Sequence, residues 1–193
     1  KVPSAAVTGS VTVTNSAGTS GPYNLEIDSV SPTVSSFMIN NGDPSTTSTV
    51  VSLSIEASDS ATGLKNMQFA NSSSGPWSTL ENYSTSKTGW TVTGGPGTKT
   101  VYVKIFDNAG NYKIVSDTIQ LIAGITSILP SPASGQSASS SNLVTITGTS
   151  FGSSRTSSSY VTFSNGLKVL STSTSTVTTW SDTLIKVKVP SAA

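Results

Sequence analysis

The chain has 193 residues, a formal net charge of +1, 10% charged and 7% aromatic residues, and neither Cys nor His. That removes imidazole acid–base chemistry, thiol nucleophiles, Cys/His zinc and iron–sulfur sites, and disulfides. Ten scattered Lys and Arg make no basic stripe for nucleic acid. No apolar run approaches the roughly 18 residues that span a bilayer, and no signal peptide is read at its start.

The length allows one large domain or two small ones. With 40 Ser and 29 Thr, more than a third of the side chains are hydroxyls, yet the apolar residues are patterned. Val11 and Val13 alternate with Thr12 and Thr14, Leu53, Ile55 and Ala57 with Ser54 and Glu56, and Val187 and Val189 with Lys186 and Lys188. A period of two buries one side of each segment and wets the other. β-Branched residues fill these runs, and Gly, Pro, Asn and Asp punctuate them. The expectation is an all-β chain of sandwiches in tandem that needs no cofactor.

In chain order, residues 1–27 read as a strand, Val7 to Asn15, with a turn at Gly18. Residues 28–122 then hold strands expected near 34–39, 50–57, 65–70, 88–93, 100–106 and 112–121. The turns between them, such as Asn40-Asn41-Gly42-Asp43-Pro44 and Asp107-Asn108-Ala109-Gly110-Asn111, tolerate positive φ or fix a bend. Residues 123–193 carry Ile125–Ile128, Val144–Gly152, Tyr160–Gly166 and Trp180–Ile185. Junctions near Leu25–Val30 and Leu121–Ile125 are expected to be short and semi-rigid.

Ser54–Asp59, Thr62-Gly63-Leu64, Trp77, Trp90, Thr98–Val103 and Asp107–Asn111 together resemble a bacterial immunoglobulin-like domain. Residues 123–193 resemble a second such family, the IPT/TIG domain, whose hallmark strand and Gly turn match Val144–Gly152. That stretch stops after Val189-Pro190, short of the family's final hairpin, and residues 1–27 are what the family would place next. The resemblance implies a sandwich split between the two ends of the chain.

The two ends also share a sequence. Residues 1–6 and residues 188–193 are both Lys-Val-Pro-Ser-Ala-Ala. Fixed-period self-similarity marks a repeat architecture, here with a period of 187 residues. A seven-stranded sandwich is entered at one pole and left at the other. The two fragments are therefore expected to be completed by neighbouring copies, covalently continuous or strand-donated, through Val7, Val11 and Val13 of one copy against Val144, Ile146 and Phe163 of another.

Other chemistry would rest on a few side chains. Asp59, Asp107, Asn108 and Asn111 could gather loop oxygens for Ca²⁺, but without an Asp-x-Asp-x-Asp spacing they read as turn caps, and no metal is expected. Lys104 with Glu56 suggests an isopeptide only until both fall on the outward phase of their strands. Trp77, Trp90, Tyr83 and Trp180 could stack on a surface glycan or fill cores and junctions. Asn71-Ser72-Ser73 and Asn82-Tyr83-Ser84 are formal glycosylation sequons. The hydroxyl tracts at 137–141, 153–159 and 171–179 read as loops and strand exteriors before they read as O-glycosylation sites.

No Ser has a catalytic partner pattern, and no enzyme activity is expected. The reading is a structural repeat of a bacterial fibre, stalk or filament, extracellular or on the cell surface, without nucleic-acid or membrane partners. The alternatives are a carbohydrate-binding or adhesin module and a spacer in a secreted polysaccharide-degrading enzyme.

Overall fold

A computed structural model of the chain describes residues 6–129, 143–164 and 166–189. Most of the two matching sextets, the hydroxyl tract at 137–141 and Asn165 lie outside the described residues. The strands, in order, are β1 (Gly9–Val11), β2 (Thr14–Asn15), β3 (Gly18–Thr19), β4 (Tyr23–Leu25), β5 (Thr33–Ile39), β6 (Ser45–Thr46), β7 (Val50–Ser58), β8 (Leu64–Ala70) and β9 (Glu81–Asn82). They continue as β10 (Ser86–Thr91), β11 (Gly97–Asp107), β12 (Tyr112–Leu121), β13 (Gly124–Leu129), β14 (Leu143–Thr149), β15 (Tyr160–Thr162), β16 (Lys168–Leu170), β17 (Val177–Trp180) and β18 (Leu184–Lys188). Among the described residues the only helical element is one 3-10 turn at Asn40–Gly42, and the protein is all-β.

One sheet orders its strands β10-β7-β5 and a second β6-β12-β11-β8-β9. Of the long strands, the first, second and fourth thus share one sheet, and the third, fifth and sixth share the other. This is the immunoglobulin-like distribution. β6 lies parallel to β12, with Gln120 opposite Ser45 and Leu121 opposite Thr46.

Contacts divide the chain into two compact units. One takes the chain up to Met38, Ser54–Lys87 and Val101–Asp117; the other takes Ile39–Leu53, Thr88–Thr100 and the chain from Thr118 on. In the first, Ile55, Met67, Phe69, Val101, Val103 and Ile105 are buried on the inward phase of their strands. That phase also carries Asp107 inward at the end of β11, and the carboxylate is fully buried.

In the second, Ile39, Val51, Leu53, Val92, Ile119 and Leu121 are buried. The turn before Val51 is wound through three successive positive φ angles, Asn40 at 47°, Asn41 at 59° and Gly42 at 88°. This is a conformation that Asn and Gly adopt at low cost.

The second unit also contains a four-stranded sheet, β13-β14-β18-β17, and a two-stranded one, β15-β16. Val144, Ile146, Val169, Val177, Ile185 and Val187 form its buried cluster, with Phe151, Val161, Phe163, Trp180 and Val189 half-buried around it. Two residues separate β12 from β13. There the Ile122 amide donates to the Thr46 carbonyl at 2.9 Å, and the Thr149 hydroxyl donates to the Thr47 carbonyl at 2.8 Å.

After β14 the chain turns sharply. Ser150 sits at φ 56°, is buried, and its hydroxyl has no hydrogen-bond partner among the described residues. A side chain in the left-handed region and an unmade buried hydrogen bond each cost on the order of 1 kcal/mol or more. Ser150→Gly removes both, at the cost of a looser unfolded chain. The variant is expected to be about 1 kcal/mol more stable, which calorimetry would read as a Tm rise of roughly 2–4 °C.

Candidate functional site

Two loops and the end of β11 converge on an acidic pole in the first unit. Carboxylate oxygens of Asp28, Asp59 and Asp107 lie within 4.8 Å of one another. Each, however, is met by donors. Asp59 Oδ1 accepts from the amides of Ala61, Thr62 and Gly63 at 3.2, 2.9 and 2.8 Å. Asp107 Oδ1 accepts from the amides of Gly110 and Asn111 at 2.6 and 2.8 Å, and its Oδ2 accepts from Asn111 Nδ2 at 2.8 Å. Asp28 accepts from the Val30 amide at 2.9 Å and the Thr62 hydroxyl at 2.6 Å. These last two bonds, the Thr62 hydroxyl foremost, hold the Asp28 carboxyl below its ordinary pKa.

The two asparagines act as donors here. Asn108 Nδ2 reaches the Thr62 carbonyl at 2.8 Å, and Asn111 Nδ2 reaches the carbonyls of Asp28 and Val30 at 3.2 and 3.3 Å. The pole brings Asp59 and Asp107 together with Asp28, a residue that the sequence marks only as a boundary. Asp28 lies 31 residues before Asp59, so no local spacing could announce it. Hard oxygen ligands of this kind suit Ca²⁺, and Asp28, Asp59 and Asp107 are the residues that would hold it.

A second candidate lies in the N-terminal hairpin. β1 pairs with β4, Gly9 opposite Leu25 and Val11 opposite Tyr23, and β2 pairs with β3 at the tip. Directly opposed residues share a face. Gly9 and Val11 therefore line up with Leu25 and Tyr23, while Ser10 and Asn24 take the other face; Val7 and Val13 continue the sequence alternation on either side of β1. The apolar face is in water: Val7 is 80% exposed, Val11 48%, Val13 70% and Tyr23 82%. The alternation is present, but no described part of the chain buries it.

The third candidate is an open cleft of about 420 Å³ in the second unit, lined by Ile125, Ile146, Phe151, Val161, Trp180 and Ile185 among others. Among the described residues no Lys, Arg, Asp or Glu lines it. The sequence-predicted Val144, Ile146 and Phe163 come together in the cluster at its floor. Val7, Val11 and Val13 are not part of that cluster.

The aromatic candidates have structural work. Trp180 Nε1 donates to the carbonyls of Phe151 and Gly152 at 3.2 and 3.1 Å, clamping the turn after β14. Tyr83 OH accepts from the Ala57 amide and donates to the Ile55 carbonyl. Trp77 lies under Lys104 Nζ at 4.5 Å from the ring centre, with Tyr112 at 5.0 Å and Phe106 at 5.9 Å. Lys104 is thus held by aromatic faces. Trp90 is half-buried in β10, and Glu56 is exposed.

The fold and these sites describe an all-β protein of immunoglobulin-like strand order with neither His nor Cys in its sequence. No family model matches the chain, and no curated protein matches it. Among solved structures it is similar to the PKD1 domain of Vibrio anguillarum Epp, with a TM-score of 0.34 and 18% identity over 49% of this chain and 96% of that one.

Proposed function

We propose that the chain is a non-catalytic structural unit of a bacterial extracellular fibre, stalk or filament, repeated head to tail. The observation that carries this reading is the hairpin over residues 7–27, whose Val7, Val11, Val13 and Tyr23 side chains stand in water. A two-stranded ribbon is marginal alone, and an apolar face left open is a template for association. The sextet Lys-Val-Pro-Ser-Ala-Ala at a 187-residue interval supports the same reading. A contact in which one end of a unit meets the opposite end of the next need not close on itself, so it grows fibres wherever the rotation between units does not return to a ring.

The test compares two chains. One is Lys1–Ala193; the other begins at Asp28, runs to Ala193 and continues with residues 7–27. Light scattering and electron microscopy are expected to show the first associating into fibres. The second is expected to be a monomer that unfolds cooperatively. A monomeric first chain whose hairpin amides resist exchange would overturn the proposal.

A further inference from the structure

Which surface receives the hairpin follows from the second unit itself. There a four-stranded sheet, β13-β14-β18-β17, accompanies a sheet of only two strands, β15-β16. Among the described residues β15 bonds to β16 alone, and no described strand pairs with its other edge. Beside it lies the cleft lined by Ile125, Ile146, Phe151, Val161, Trp180 and Ile185. We infer that this cleft is the seat of residues 7–27 of a second copy of the chain, whose hairpin adds to the free edge of β15 and turns Val7, Val11 and Val13 inward. The inference rests on the head-to-tail reading and specifies its joint.

Three features agree on that occupant. A hairpin brings two strands, which makes the short sheet four-stranded like the one it accompanies. Its apolar residues alternate at the period of a strand that buries one face, and neither surface carries a charge among the described residues: Glu26 falls on the polar phase, and the cleft lining is neutral. An unpaired charge on either side would be costly to bury.

The connection also fits. β18 ends at Lys188, where the sextet shared with the start of the chain begins, and in the repeat frame that sextet leads directly to Val7. Six extended residues reach roughly 20 Å, ample to cross the ~10 Å between packed sheets. Backbone pairing would give affinity and the alternating Val side chains register, as in other strand additions.

The chain has no Cys, so introduced pairs report cleanly. Val7→Cys, Val11→Cys and Val13→Cys are each mixed with Val161→Cys under mild oxidation, with Thr12→Cys as the outward-facing control. At least one inward position is expected to give a mixed disulfide dimer tenfold or more faster than Thr12→Cys does. A double Val11→Cys, Val161→Cys chain is expected to give a ladder of covalent oligomers. Fibres that form without any of these cross-links would overturn the seat and leave the head-to-tail reading standing. A double variant that closes only within its own chain would overturn both. Calorimetry on each reduced variant shows that it is folded before the comparison is made.

Discussion

Gly148→Ala is expected to destabilise the protein by about 4 kcal/mol, and the loss should be confined to the C-terminal sheet. Gly148 lies in β14 opposite Ile125 of β13, and Gly124 pairs one step along with Thr149. A Cβ built on Gly148 would overlap the carbonyl oxygen of Gly124 and the ring of Phe151, whose Cε1 would lie at 2.9 Å. The ring could rotate away, but the carbonyl belongs to the chain that opens β13. Moving it breaks the ladder just where Gly124 itself is packed against Thr47. Substitutions that force a backbone to shift in this way belong to the short class that exceeds the usual 0.5–3 kcal/mol range. Gly94→Ala is the control: nothing lies within 4 Å of its added Cβ. Its change should stay within about 0.5 kcal/mol by denaturant titration. Equal, small effects at both positions would contradict the close approach of β13 and β14.

Gly148 also shows how much of the architecture could be read from the residues. Val144–Gly152 was recognisable as a strand followed by a Gly turn, and the strand is there as β14. The pattern indicated a turn at Gly152. It gave no sign that the backbone first turns over at Ser150, because a non-Gly residue in the left-handed region is imposed by tertiary packing and not by its own preference. The long strands β5, β7, β8, β11 and β12 fall within a few residues of the expected ones, since one face of each is buried and period two survives in the sequence. β9 and β16, two and three residues long, leave too little alternation to detect.

The candidate sites divide along the same line. The apolar phase of Val7, Val11 and Val13 was legible, and so was that of Val144 and Ile146, because alternation is a property of a strand and its neighbours in sequence. The cleft lined by Phe151 and Trp180 was not, since it arises where segments far apart in the chain leave a space. Lys104 could be assigned to the outer face of β11 by counting. Its position over Trp77, Phe106 and Tyr112 could not, because Trp77 arrives there on a loop. The acidic pole is the sharpest case, assembled from three carboxylates spread over 79 positions between Asp28 and Asp107.

At that pole the expected results separate a hydrogen-bonded knot from a metal centre. Asp107 is fully buried, and its carboxylate holds the Gly110 and Asn111 amides and the Asn111 side chain. Asn111 in turn carries the carbonyls of Asp28 and Val30, so one carboxylate organises both the β11–β12 turn and the segment leading into β5. Hydrogen bonds to a charged group contribute roughly 1.5–3 kcal/mol each, and a donor stranded in the interior costs a further penalty. Because the three bonds act as one network they do not add. Asp107→Ala is therefore expected to cost about 3 kcal/mol in denaturant titration. Asp107→Asn should cost less: its oxygen can still accept the two backbone amides, while its NH₂ faces the NH₂ of Asn111. Asp59, with three backbone donors on one oxygen, is neutralised in the same local way. If donors and not a cation balance this pole, EDTA should leave Tm unchanged within about 1 °C, and added Ca²⁺ should not rescue Asp107→Ala. A fall of many degrees on chelation in the unmodified protein would instead make Asp28, Asp59 and Asp107 the ligands of a structural Ca²⁺. In that case the cost of Asp107→Ala would depend on Ca²⁺ concentration, as mass action requires of any ligand bound only by the folded state.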